Sequence, residues 1–293
     1  MNNKNLFEHH VSEFIKELQG KNSSTYTITA YTTDIHQFLT CVKNNNLAVQ
    51  APTDITKQDV TDFLSFLSQQ GRSGVTRARK LAAIKEFFQF LMNNRVITKS
   101  PCETVSMPKR ERKQRNYLRP DEYGTLLSCA GSHPRDFAIL QLFLQTGIRV
   151  GELVQLKLTD IDLKEGVLKI SSGKGKKQRE IDLEKKAINA LKNYLSTRQE
   201  TGSNHLFLSY QGSGMSDRAV KKLVEKYKKQ AGITKQFSCH SLRHTFASYK
   251  AEHGVSAFQL QQWLGHASVT TSQIYVHMTR NQNSQKVMQE TSL

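Results

Sequence analysis

The chain has no long apolar stretch. Among its 293 residues no run approaches the ~20 consecutive apolar positions that a membrane-spanning helix needs. Its first twenty residues lack the apolar core of a secretory signal. Phe7, Val11, Phe14, Ile15 and Leu18 instead stand at helical spacing and predict an amphipathic helix. Cysteine is scarce: Cys41, Cys102, Cys129 and Cys239 are scattered and form no C-x-x-C pair. That pattern argues against a disulfide framework or a zinc ribbon and for reduced thiols in a cytoplasmic setting. There is no Walker phosphate loop and no carboxylate cluster of the two-metal nuclease kind, so neither cofactor nor metal is expected. No internal repeat or low-complexity tract is present. Acidic residues are also short, 25 against 42 basic, for a net charge of +17. An excess of that size fits a polyanionic partner, because lysine and arginine displace counterions condensed on phosphates. Charge alone fits an anionic membrane surface almost as well, but nothing else in the sequence points to a membrane.

The length suggests two domains. Residues 1–108 read as helices only. Ile28, Tyr31, Ile35, Phe38 and Leu39 predict a helix over 26–42. Thr56 with Asp59 has the form of a capping box, ahead of a helix with Phe63, Leu64 and Leu67 on one face. After a break at 71–74 comes a helix with Leu81, Ile84, Phe87, Phe88 and Leu91, whose residues Arg77, Arg79, Lys80 and Lys85 make a basic flank and candidate DNA contacts. Residues 109–117 form a connector carrying Lys109, Arg110, Arg112, Lys113 and Arg115. Net charge is +3 over 1–108, +4 over the connector and +10 over 118–293, so charge density peaks in the connector. Such a run is either a solvated segment or a strip laid along phosphates, and composition leaves both readings open.

The second domain, 118–293, is mixed. A helix over 136–146 should end at Gly147 as a C′ residue. Arg149 opens the next helix, with Leu153, Val154 and Leu156 inward. Two short strands, 166–172 and 178–183, turn through Gly173-Lys174-Gly175 and predict a hairpin. Helices then follow over 217–231, 240–253, 256–264 and 269–278. The fold class expected is mostly α, with a small β-hairpin or sheet in the C-terminal domain.

Five features fall in this domain: Arg149 at a helix start, Lys174 on the hairpin turn, His240 with Arg243, His266, and Tyr275. Each is weak alone. An arginine after an isoleucine and a glycine is commonly a surface residue, and a Gly-Lys-Gly turn is commonly solvated. His240 and His244 at i, i+4 are half of a zinc site, but the intervening Glu and a cysteine pair are missing, so no metal is assigned. Together the five suit phosphoryl transfer. A phosphodiester in transfer develops charge on its non-bridging oxygens, which planar guanidinium groups such as Arg149 and Arg243 meet bidentately. Positioning and electrostatic stabilisation are most of what that reaction needs. A tyrosine hydroxyl, with a pKa near ~10, needs a base or cationic field to act as nucleophile. His240 suits the base, His266 a donor to a phosphate oxygen, and Lys174 on a hairpin the general acid for a departing 5′ oxygen.

The segments Thr-Gly-Ile-Arg-Val-Gly-Glu-Leu at 146–153, Gly-Lys-Gly at 173–175, His-Ser-Leu-Arg-His-Thr-Phe-Ala at 240–247, Leu-Gly-His at 264–266, and Tyr275 together resemble the tyrosine recombinase (phage integrase) family, most closely its simple Xer-type enzymes. The family's catalytic set matches, in order, Arg149, Lys174, His240 with Arg243, His266 and Tyr275. The resemblance covers the whole chain. It implies a helical core-binding (SAM-like) domain joined to an α+β catalytic domain as a C-shaped clamp around DNA. Tyr275 would form a 3′-phosphotyrosyl link and release a 5′-hydroxyl, leading through a Holliday junction. It also implies a cytoplasmic, nucleoid-associated protein acting on double-stranded DNA with short inverted arms, as a homotetramer on two synapsed sites, its tail docked on a neighbouring protomer. Chromosome-dimer resolution, plasmid or transposon cointegrate resolution and mobile-element integration all stay open. A type IB topoisomerase and a non-catalytic DNA-binding regulator are the alternatives. Beside the set, His244 reads as a packing residue, Glu152 as either an orienter of Arg149 or a surface ion pair, and Trp263 as core or interface.

Overall fold

In the computed structural model, which describes residues 4–109, 117–171, 178–265 and 272–273, the chain separates into two units, Met1–Lys113 and Gln114–Leu293. The division falls inside the basic connector, of which 110–116 lie outside the described residues.

The first unit contains α1 (Lys4–Gly20), α2 (Thr25–Asn45), α3 (Lys57–Gln69) and α4 (Gly74–Asn93). Short hydroxyl side chains start three of them. Ser24 Oγ accepts from the Thr27 N–H at 3.1 Å, and Ser73 Oγ from the Thr76 N–H at 3.3 Å. The Thr56–Asp59 box closes reciprocally, with the Thr56 N–H donating to Asp59 Oδ2 at 2.8 Å and the Asp59 N–H to Thr56 Oγ1 at 3.4 Å. Val60, Phe63 and Leu67 make the buried face of α3, and Leu64 sits at its edge. Helix α4 packs against the other three helices, which accounts for its run of buried positions from Ala78 to Leu91. Phe14, Phe38, Phe63, Phe87 and Phe88 fill the centre, with Phe38 edge-to-face on Phe63 at 5.4 Å.

In the second unit α5 (Pro120–Ala130), α6 (Pro134–Thr146) and the single turn α7 (Val150–Leu153) precede an antiparallel sheet of β1 (Ile161–Asp162), β2 (Val167–Ile170) and β3 (Arg179–Asp182). Leu168 pairs with Ile181, so the inward alternation Leu168, Ile170 and Ile181 joins the core. Then come α8 (Lys185–Thr197), α9 (Asp217–Gln230), α10 (Cys239–Glu252) and α11 (Ala257–Leu264). Helix α6 is the central element: Ala138, Ile139, Leu140, Leu142 and Phe143 are buried, and it packs on α8 and α10. It stops where the sequence places its end, at Gly147 in the left-handed region with φ 60°. A side chain there has no room, since a Cβ would fall 2.5 Å from Phe246 Cδ1 and 2.7 Å from Leu264 Cδ2.

Three elements go beyond the sequence reading. Helices α5 and α8 are additional, and α8 hides its apolar face in small residues, Ala187 and Ala190, beside Leu191 and Tyr194. Strand β1 turns the hairpin into a three-stranded sheet. The helix opened by Arg149 is one turn long, not a full helix. The helix expected over 269–278 lies outside the described residues except Ser272 and Gln273, which are helical. Among the described residues no helix is long and apolar enough to cross a membrane.

Candidate active site

The left-handed stop at Gly147 turns the chain sharply and brings Arg149 to the N-cap of α7. Glu152, at the third position of that turn, holds the arginine twice. The Arg149 N–H donates to Glu152 Oε2 at 2.9 Å, and its Nη1 donates to Glu152 Oε1 at 2.9 Å. Arg149 Nη2 donates to the Gly265 carbonyl at 2.9 Å, at the end of α11. Of the two readings of Glu152, an orienter of Arg149 is what the structure contains: its side chain is 9% exposed, against 31% for Arg149. Burial alone would raise the Glu152 carboxyl. The Arg179 guanidinium hydrogen-bonded to it, the Arg149 N–H and the charges of both arginines outweigh burial and hold it at about 2.

Arg243, on α10, is 2% exposed. Its Nη1 donates to the Gly147 carbonyl at 2.7 Å and its Nη2 to the Leu264 carbonyl at 2.6 Å. These are carbonyls at the C-terminal ends of α6 and α11, where helix dipoles leave partial negative charge that suits a cation. One permanently charged group therefore ties together the ends of two helices. His240 lies exposed in the first turn of α10, its ring edge-on to His244 at 5.0 Å between centroids. His244 is half-buried, in keeping with a packing role. Trp263 is half-buried against Phe246.

Arg149, His240 and Arg243 line one open cavity of about 570 Å³, together with Glu152, Ser171, Lys221 and Cys239. Burial pushes the Cys239 thiol up to about 11, so it stays protonated there. Three members of the expected catalytic set thus meet at one place, although 91 positions separate Arg149 from His240. Lys174, His266 and Tyr275 lie outside the described residues. Of the described residues that precede them in the sequence, Ser171 lines the cavity, and the Gly265 carbonyl accepts from Arg149, which lines it.

Two cations at this site go beyond the sequence reading. Arg179 opens β3 and grips Glu152 with both terminal nitrogens, Nη1 to Oε1 at 3.0 Å and Nη2 to Oε2 at 2.8 Å. Lys221 reaches the cavity wall from α9. No local signal marks either: Arg179 is 27 positions from its partner, and Lys221 belongs to a helix rich in lysine.

In the first unit the basic flank divides. The expectation that Lys80 faces a phosphate is corrected, because Lys80 is 8% exposed and its Nζ donates to Asp34 Oδ1 and to Gln37 Oε1, both at 2.6 Å. Asp34 is itself 1% exposed, and a carboxylate so buried needs a cationic partner. Arg79 shares that carboxylate, with Nη2 at 3.1 Å from Asp34 Oδ1, while its side chain stays 45% exposed. Lys85 donates to the Val105 carbonyl at 2.9 Å, and Arg77 is half-buried on the same helix. Lys109 is exposed, and Arg110, Arg112, Lys113 and Arg115 lie outside the described residues.

Comparison with known proteins accords with this geometry. The phage integrase family matches residues 116–282, and the phage integrase N-terminal SAM-like domain matches 11–95. The chain is 36% identical over 282 residues to the tyrosine recombinase XerC of Thermodesulfovibrio yellowstonii, covering 92% of this chain and 91% of that one. It is 32% identical over 270 residues to XerD of Listeria innocua, covering 89% and 90%. Among solved structures, XerA recombinase aligns over 98% of this chain and 99% of its own at 32% identity, with a TM-score of 0.57. A lambda integrase tetramer bound to a Holliday junction shares the fold at TM-score 0.76 and 21% identity, over 92% of this chain and 76% of that one. With two arginines and a histidine gathered at one cavity and relatives this similar along nearly the whole chain, the protein belongs to the phage integrase family and is a tyrosine recombinase.

Proposed function

We propose that this chain recombines DNA site-specifically, cutting and rejoining strands through a covalent 3′-phosphotyrosyl link at Tyr275. The observation that carries the reading is the convergence of Arg149, His240 and Arg243 on one cavity. The Tyr275 oxygen attacks the scissile phosphorus, its proton passing to His240, as the bond to the 5′ oxygen breaks. Lys174 gives that oxygen a proton, so a free 5′-hydroxyl leaves. Arg149 and Arg243 meet the charge on the non-bridging oxygens, with His266 as a further donor. The phosphotyrosyl ester keeps the bond energy, so a 5′-hydroxyl from a second duplex reverses the step without nucleotide hydrolysis.

The partners proposed are double-stranded DNA with short inverted arms and three further copies of the chain, on two synapsed sites, with the tail of one copy docked on the next. The lambda integrase tetramer on a Holliday junction supports that assembly at the level of fold. Similarity to XerC and XerD favours chromosome-dimer resolution among the possible roles, with the protein working on nucleoid DNA in the cytoplasm. The test is Tyr275→Phe on a nicked suicide substrate. The variant should bind DNA as the wild type does and form no SDS-resistant adduct; adduct at the wild-type level refutes the assignment. Holliday junctions among the wild-type products, rather than relaxed supercoils alone, separate recombination from topoisomerase action.

A further inference from the structure

Arg179 is held on every guanidinium nitrogen beside the cavity without forming part of its wall. Its side chain is 10% exposed. All three guanidinium nitrogens are committed: two to the oxygens of Glu152, and Nε to the Trp263 carbonyl at 2.8 Å. A planar fork can make these bonds together because guanidinium geometry matches a carboxylate on one edge and leaves Nε for a separate acceptor. The three bonds join three pieces of chain. Glu152 belongs to α7 and holds Arg149. Arg179 itself stands at the start of β3, five positions after Lys174 in the sequence. Trp263 lies in the last turn of α11, ahead of His266 in the sequence.

Gly265 shows how close this junction is. Its φ is 60°, and a Cβ there would fall 3.0 Å from Arg179 Nη1 and 3.6 Å from Arg149 Nη1. Two guanidinium groups therefore crowd one glycine, which suits this place both for its left-handed backbone and for its lack of a side chain. The charges fit the same design. One carboxylate stands between two arginines, so the cluster keeps a net positive charge beside the cavity. With both Glu152 oxygens occupied by Arg179, Arg149 is steered by the carboxylate without being neutralised by it alone.

We propose that Arg179 is a positioning residue for strand cleavage: held between Glu152 and the Trp263 carbonyl, it aims Arg149 at the scissile phosphate and locks that aim to β3, which follows Lys174 in the sequence, and to the end of α11, which precedes His266. The inference rests on the phosphoryl-transfer reading of the cavity. Through Glu152 it acts on a group that touches DNA without touching DNA itself.

The test uses the full chain and a suicide substrate with either a normal phosphate or a methylphosphonate at the cleaved position. A methylphosphonate carries no charge on the non-bridging oxygen, so it depends less on a correctly aimed Arg149. Arg179→Ala should bind the site within about twofold of wild type, yet cleave the phosphate substrate ~10–100-fold more slowly, approaching the loss of one preorganised donor. On methylphosphonate the deficit should shrink to within about threefold, the pattern also expected of Arg149→Ala if Arg149 is what Arg179 positions. Arg179→Lys should stay at least about fivefold slow on phosphate, because one ammonium cannot replace a three-pointed fork. Cleavage by Arg179→Ala within about twofold of wild type, or an equal deficit on both substrates, overturns the proposal. If Arg179→Ala does not fold, Arg179→Gln takes its place under the same criteria. A wild-type rate for Arg149→Ala would instead overturn the reading of the cavity on which the inference rests.

Discussion

Replacing Glu152 by Gln removes a negative charge from between two guanidinium groups and leaves both without their shared counter-ion. The carboxyl is held at about 2 against an ordinary 4.5. At ~1.4 kcal/mol for each tenfold change in proton affinity, that difference corresponds to about 3 kcal/mol of folding stability at neutral pH. The figure agrees in size with the ~3–5 kcal/mol typical of removing one partner from a buried pair. Because the folded value is depressed, the contribution is complete above the unfolded value of 4.5 and is lost as pH falls through about 2. At pH 3 roughly 1–1.5 kcal/mol should remain by the same relation. Trp263 is the chain's one tryptophan, and it sits in the catalytic unit, its ring against Phe246 and its backbone carbonyl accepting from Arg179 Nε. Its fluorescence therefore follows unfolding of this unit separately from the first. With a urea slope of ~2 kcal/mol per molar, Glu152→Gln should lower the midpoint by about 1.5 M at pH 7 and by about half that at pH 3. An equal shift at both pH values, or a shift under about 0.3 M at pH 7, refutes the account of Glu152 as an ionised, buried counter-ion.

Gly147→Ala must place a Cβ against Phe246 and Leu264 at a backbone angle suited to glycine; it should cost roughly 3 kcal/mol and lower the melting temperature of the catalytic unit by about 6–12 °C. A thermal scan showing no change refutes the packing described at the end of α6. Lys174→Ala should cleave normal DNA poorly and recover on a substrate whose bridging 5′ oxygen is sulfur, since a thiolate leaves with little protonation; recovery of His266→Ala alone would move the acid role to His266. Changing Lys109, Arg110, Arg112, Lys113 and Arg115 to Gln should flatten the salt dependence of binding, by up to ~0.9 in log–log slope for each phosphate that is no longer neutralised, without altering the preferred sequence. An unchanged slope would mark the connector as a solvated segment.

The features that sequence alone determined are those whose causes lie within a few residues. The Thr56–Asp59 box, the stop of the helix at Gly147 and the two short strands that pair as β2 and β3 each depend on neighbours in the chain, and each is present as read. The order of Arg149, His240 and Arg243 was legible through resemblance, since no local rule draws them together across the sequence. Tertiary structure alone decided the partners of charged side chains. Lys80 lies in the same basic flank as Arg77 and Arg79, but folding turns it onto Asp34, 46 positions away, because a buried carboxylate must be compensated. Arg179 looks like any basic residue beginning a strand until Glu152 and the Trp263 carbonyl are brought to it. Helix periodicity and turn chemistry are properties of short segments, whereas the environment of a charge depends on whatever distant groups the fold packs beside it, and that is settled only when the chain is assembled.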